Sequence, residues 1–349
     1  MNFSAFIALW QHRFRKYSYI GRQYLQAFGS VVRFLLLKIS FSGRKKLIVI
    51  IRTEHFGDIV AAEPIARQVR QLHPNDYIIW MVRPVFRELI DGHPAIDQVW
   101  LQTSVLQRIL LCRSGVFDTV YNLEFWQSNR DSVSGDIHHN TVAARKDITV
   151  FNYFDKGNLL TIFQLCADLP QWNDTPKVYI SEADRLLITA LSLPKKLIVV
   201  HCNSNYPAKD WSVPNWEKLI KWLIEEKGYT VAEIGLKSNN SIRHPQYLNL
   251  CGQYSLLQTA EIIRRAEYFI GIDSGPAHLA NAVGTYGLLL FGTLNNFDTY
   301  MPYSGDYQNA KKARLISKTG KTCAELDYDG VRSEIESILA KTTNKISIL

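Results

Sequence analysis

From Leu47 onward, short apolar runs alternate with stretches in which apolar residues recur every three or four positions. "LIVIIRT" reads as a strand buried on both faces, and "DIVAAEPIARQVRQLHP" as a helix ended by His73-Pro74. "YIIWMVR" continues as a strand, "VFRELIDGHP" as a short helix, "IDQVWL" and "VFDTVYNLE" as strands and "NLLTIFQLCADLP" as a helix. The segment 127–150 is polar and fits neither period. "DRLLITALSLPKKLIVVHCN" then reads as a helix, a break at Pro194-Lys195-Lys196 and a fresh buried strand. Beyond it, helices at "VPNWEKLIKWLIEEKG", "LLQTAEIIRRA" and "PAHLANAVG" are interleaved with strands at "YTVAEIG", "YFIGID" and "YGLLLFG". A final helix is expected at "YDGVRSEIESILAK".

Apolar strands separated by helices predict parallel sheets covered on both faces. Two such series in tandem predict an α/β chain with two Rossmann-like domains and a cleft between them. The restart near residue 196 sets the expected division: an extension over 1–46, an N-terminal domain over 47–190 and a C-terminal domain over 191–349. A chain of 349 residues is long for one core, which agrees with two.

The extension has a pattern of its own. Phe3, Phe6, Ile7, Trp10, Phe14 and Tyr17 fall at helical spacings, and Tyr24, Leu25, Phe28, Val31, Val32, Leu35 and Leu36 resume after Gly21. Residues 1–46 hold nine Lys and Arg and no Asp or Glu; the remainder has 31 basic against 32 acidic residues. The formal charge of +8 therefore belongs to the extension, and a nucleic-acid-binding body is disfavoured. Aromatic residues beside cations suit a helix lying in the interface of an anionic membrane. The apolar stretch "VVRFLLLKIS", broken by Arg33 and Lys38, is too short to span one. The other reading is a pair of helices packed on the body or on a second subunit. Five scattered cysteines without a CxxC pair indicate reduced thiols in the cytoplasm.

Three stretches carry candidate chemistry. In "YFIGIDSGPAHLANAVGTYGLLLFG" a strand ends at Asp273, and Ser274-Gly275 turns into a helix with Pro276 at its start. Backbone amides and a helix dipole at such a turn suit a phosphate or pyrophosphate; the other reading is a well-capped structural turn, with His278 a packing residue. In "HCNSNYPAKDWSVPNW" the polar Asn203, Ser204 and Asn205 follow a strand, and Lys209 could offer a point charge to a phosphate or stay a solvated surface lysine. In "IIRTEHFGDIV" Asp58 could cap a helix or accept a proton across the cleft. There is no GxxxxGK[ST], GxGxxG, HExxH or GxSxG motif. "DYD" at 327–329 opens the last helix, where capping explains it, and "HH" at 138–139 lacks further ligands at suitable spacing. No catalytic metal and no cofactor are expected.

Taken together, "FGDIVAAEPIARQVRQLHP", "HPAIDQVW", "AKDWSVPNWEKL" and "DSGPAHLANAVGTYGLLLFG", in this order, resemble the ADP-heptose:lipopolysaccharide heptosyltransferases, glycosyltransferase family 9. The resemblance runs from about Leu47 to the C-terminus and implies a GT-B fold. It also implies inverting, metal-independent transfer from a nucleotide-sugar donor to a lipid-linked saccharide acceptor. Asp58 would be the general base, with Gly57 and Glu54 on the acceptor side. Asn203, Ser204, Lys209, Asp273, Ser274, Gly275, Pro276 and His278 would form the donor site. The chain departs from the family in three places: Asn203 and Ser204 replace paired threonines, "GTYG" replaces Gly-x-Pro, and "LKSNNS" lacks an acidic residue for the nucleoside, which Asn239 or Asn240 would replace. The rival readings are a different donor or acceptor (capsule or protein), a nucleotide-sugar epimerase, and a non-catalytic membrane scaffold. The partners expected are the donor, the acceptor and an anionic membrane met by residues 1–46, at the cytoplasmic face.

Overall fold

The structure is a computed structural model and describes residues 3–125, 131, 135 and 139–346. The elements of the first half are α1 (Phe3–Ser40), β1 (Leu47–Ile51), α2 (Phe56–Ala61), α3 (Glu63–Leu72), β2 (Tyr77–Val82), β3 (Gln98–Leu101), α4 (Val105–Arg113), β4 (Thr119–Asn122), α5 (Thr141–Arg145), α6 (Leu159–Cys166) and α7 (Glu182–Ala190). In the second half come β5 (Leu197–His201), α8 (Val213–Glu225), β6 (Thr230–Glu233), β7 (Tyr247–Asn249), α9 (Leu256–Arg265), β8 (Tyr268–Ile272), α10 (Gly275–Val283), β9 (Tyr286–Leu290), α11 (Gly305–Gln308), β10 (Ala313–Ile316) and α12 (Tyr328–Ile346).

The strands form two parallel sheets, ordered β3-β2-β1-β4 and β10-β9-β8-β5-β6-β7, as the alternation of strand and helix predicts. Pleating explains why β1 is apolar throughout. Ile48 and Ile50 point to the core under α2, α3 and α6, while Leu47, Val49 and Ile51 point to a smaller core closed by Phe34 of α1 and Leu111 of α4. β5 divides in the same way: Leu197 and Val199 face the core shared with α9 and α10, and Ile198 and Val200 face α8 and α12. The first of these cores runs on from one sheet to the other, because α2 packs against α10.

Several expected elements differ in detail. The helix expected over 58–74 is two helices broken at Ala62, because Pro64 lacks an N–H and its ring crowds the carbonyl four residues back. "VFRELIDGHP" forms a 3-10 helix over Pro84–Leu89. α7 hydrogen-bonds to α9, through Asp184 to Gln258 and Thr189 to Arg265, so it lies with the second sheet. The reading of residues 1–46 as a helix pair is corrected: α1 is one unbroken helix through Gly21. A single glycine costs only about 1 kcal/mol inside a helix, and the flanking turns carry it. Ala27, Ser30 and Phe34 pack on the body, while much of the aromatic face stays exposed. Among the described residues, no helix is long and apolar enough to cross a membrane.

Candidate active site

The β1 strand delivers Arg52 and Thr53 into a buried ionic network. The Arg52 guanidinium ion-pairs with Asp58 and, through Nη1, reaches Glu124 Oε2 at 3.2 Å; it also lies 4.7 Å from the centre of the Phe163 ring. Glu124 Oε1 accepts hydrogen bonds from the Thr53 N–H and hydroxyl, both at 3.0 Å, and Arg108 stands 3.7 Å away. Burial works against the charge on Glu124, but Arg52 and Arg108 overcome it and hold the carboxyl below its usual range. Of these four charged side chains only Asp58 opens outward, with 26% of its side chain exposed against 7% or less for the others.

Asp58 stands in the first turn of α2, where the helix dipole favours a carboxylate. The capping alternative is corrected here. His55 occupies the N-cap, no side chain caps the turn, and the Asp58 carboxylate reaches back to Arg52 instead.

From the second sheet, β8 ends at Ile272 and leaves Asp273 at the strand's carboxyl end. Asp273 is buried and accepts bonds from the Tyr300 hydroxyl at 2.8 Å and the Tyr303 hydroxyl at 3.2 Å. Lys209, in the 3-10 turn Pro207–Lys209, places Nζ 2.6 Å from the same carboxylate. Burial opposes this charge too, and Lys209 offsets it, so the carboxyl sits below its ordinary range. Ser274 is the N-cap of α10 but does not cap with its side chain; its hydroxyl meets His201 Nδ1 at 2.9 Å. The first turn of α10 is therefore left without a side-chain cap.

The two helix starts meet. A Cβ on Gly275 would come 2.0 Å from Phe56 Cζ, and one on Gly57 would come 3.0 Å from Gly275 Cα and 3.1 Å from His278 Cδ2. Only glycines permit this approach. Burial makes His278 harder to protonate, although the charges of Asp273 and Asp58 both partly counter it. Its Nδ1 has no hydrogen-bond partner. Tyr153 lies within the field of both carboxylates, which adds to the burial that raises its hydroxyl pKa.

The structure thus brings Asp58, Gly57, Asp273, Gly275, Pro276, His278 and Lys209 to one place, with Ser274 turned into the fold beneath. Ser204 is committed to its loop: its N–H and hydroxyl bond Asp210 at 2.7 and 2.8 Å. Asn203 is half-buried in the same loop. Glu54 pairs with Arg83 at the surface, with both side chains about half exposed. Asn240 donates to Glu233 at 2.9 Å rather than facing outward. Asp327 accepts the Gly330 N–H at 2.7 Å at the start of α12, the structural role expected of "DYD". Among the described residues no three His, Cys, Asp or Glu are grouped to hold a metal ion. His138 lies outside the described residues. Sequence reasoning missed Arg52, Glu124, Tyr153, Tyr300, Tyr303 and His201. For Arg52 the signal was a charge closing an apolar strand; the others carried none.

The chain is similar to known glycosyltransferases. Residues 156–328 match the family model "Glycosyltransferase family 9 (heptosyltransferase)". The chain is 23% identical over 322 residues to lipopolysaccharide heptosyltransferase 1 of Campylobacter coli, covering 78% of this chain and 90% of the relative. A glycosyl transferase family 9 structure from Veillonella parvula superposes with a TM-score of 0.66 at 17% identity, covering 85% of this chain and 98% of that one. E. coli ADP-heptose LPS heptosyltransferase II superposes with a TM-score of 0.63 at 19% identity, covering 85% and 99%. These likenesses establish the GT-B fold, and with the family match they make the chain a glycosyltransferase. Residues 156–328 carry the match to glycosyltransferase family 9, the family of the heptosyltransferases.

Proposed function

We propose that this enzyme transfers a heptose, with inversion and without a metal, from ADP-heptose to a saccharide acceptor of the lipopolysaccharide core held at the inner membrane surface. The donor and acceptor classes rest on the relatives, one named a lipopolysaccharide heptosyltransferase and another an ADP-heptose LPS heptosyltransferase. The mechanism rests chiefly on one observation: Asp58 is the outward-opening member of an otherwise buried ionic network, beside the uncapped start of α10.

In this reading Asp58 takes the proton from the acceptor hydroxyl as that oxygen attacks the anomeric carbon. The bond to the nucleoside diphosphate breaks on the opposite face. Lys209 and the first-turn amides of α10 meet the charge that develops on the leaving diphosphate. Lys209 is tied to Asp273 in this structure, so the donor phosphates compete with that carboxylate for it. His278, buried and without a partner on Nδ1, offers a neutral hydrogen-bonding group at the start of α10. Gly57 and Gly275 let the donor and acceptor halves approach. The acid-free basic helix α1 holds the enzyme to the anionic surface that carries its acceptor.

The test is a donor panel of ADP-, UDP- and GDP-linked sugars with a lipid A–inner-core acceptor, in chelator, with the product's anomeric configuration read by NMR. Transfer confined to ADP-heptose with inversion is expected. Retention of configuration, dependence on a metal, or transfer from another nucleotide sugar alone overturns the corresponding part.

A further inference from the structure

Helix α1 carries two apolar faces, and only one of them is used by the fold. Ala27, Ser30 and Phe34 are buried against the body. Trp10, Phe14, Tyr17, Leu25, Phe28 and Ile39 are each more than half exposed. At 100° per residue the exposed set forms one stripe centred about 140° around the helix from the packed face. Gly21, Val32 and Leu35 fill the remaining places, so the stripe runs unbroken from Trp10 to Ile39.

Charge decides between two occupants. Residues 1–46 hold nine Lys and Arg and no Asp or Glu. A coiled-coil seam with a second copy of the chain would set these cations against each other with no acidic partner on its flanks. Arg13 and Arg22 lie on either side of the stripe, both exposed, and the helix contains no acid. This is the charge complement of an anionic bilayer, with the apolar side chains in the acyl boundary and the guanidinium groups at the headgroups.

The direction of α1 fixes what such docking does to the enzyme. Near its C-terminal end, Lys38 pairs with Asp118, which immediately precedes β4, and Phe41, just past the helix, packs at a tilt against Tyr77, the first residue of β2. Further back, Ser30 accepts a hydrogen bond at 2.8 Å from Gln107 in the first turn of α4, which follows the carboxyl end of β3. α1 therefore runs antiparallel to the strands of the first sheet.

Building on the membrane reading above, we infer that α1 lies in the bilayer interface along its whole length from Trp10 to Ile39, not as a terminal anchor. The strands of the first sheet then lie along the membrane plane. Their carboxyl edge, where Asp58 stands, opens sideways over the surface, so a lipid-linked acceptor reaches the cleft by lateral diffusion.

The full-length protein is tested by flotation with vesicles of phosphatidylethanolamine and phosphatidylglycerol. Three forms are compared: wild type, Phe14→Glu in the free half of α1, and Ile39→Glu in the half packed on the body. Both variants should bind roughly tenfold more weakly or worse, through loss of buried apolar area and gain of a carboxylate. Transfer to an acyl-free acceptor should be unchanged in both, which shows that they are folded. Loss in Phe14→Glu with full binding in Ile39→Glu would mean an end anchor and overturn the side-on arrangement while leaving membrane binding intact. No binding by the wild type would overturn both. A wild-type dimer in solution that Ile39→Glu splits would make the stripe a self-interface and overturn the inference.

Discussion

Arg52 supports Asp58 and also works against it. The ion pair holds the carboxylate in one orientation, but a bare guanidinium would weaken it as a base. Glu124, bonded to Arg52 from the other side, carries the compensating charge. Replacing Glu124 by Gln therefore leaves positive charge on Asp58. The rate of transfer at neutral pH should fall with the donor KM unchanged. An unchanged rate while thermal stability drops would make Glu124 structural only. On the proposed donor side, Lys209→Ala removes the cation assigned above to the leaving phosphates and frees Asp273 from its partner. Donor KM should rise and kcat fall, by about 10²-fold together in kcat/KM, as for loss of one preorganised charge. Steady-state kinetics at varied donor concentration measure both.

At the scale of elements, the meeting of α2 and α10 is the joint that makes a site from two sheets. Gly275→Ala would drive a Cβ into the Phe56 ring, an overpacking worth about 1–3 kcal/mol. Thermal unfolding should show this loss, and Phe56→Ala in the same chain should recover part of it; additive losses would contradict the contact. Much of this joint was legible beforehand. Apolar runs marked β1, β5, β8 and β9, and "FGD" and "DSGP" marked two helix starts at strand ends. The remainder was not legible, for physical reasons. α4 shows no clean stripe, because it buries Gln107 and Arg108 as well as Leu106 and Ile109, the polar pair donating to Ser30 and Thr53. β7 and β10 have three and four residues, too few to display a period. The cap reading of Asp58 failed because Arg52, six residues earlier, competes for its carboxylate, and local spacing cannot reveal that competition.

For the whole molecule, the buried histidines set a limit in acid. Burial lowers His201 from its ordinary 6.5 to about 4, and it lowers His278 as well. Between those values the unfolded chain binds the proton and the folded chain does not, so stability rises with pH across the window. The contribution of His201 is complete above about pH 6.5 and is lost as pH falls to about 4; it amounts to about 3 kcal/mol. Denaturant unfolding from pH 7 to 4 should show the slope, and His201→Gln should flatten it; an unchanged slope in that variant would assign the loss elsewhere. The two sheets and the joint between them bear on one proposal, that Asp58 removes the acceptor proton. The most direct measurement compares wild type with Asp58→Ala for transfer from ADP-heptose to a lipid A–inner-core acceptor, with donor binding followed by thermal shift. The expected result is a loss of about 10²–10⁴-fold in kcat with the donor-induced shift retained. Transfer at the wild-type rate in the variant would contradict the claim.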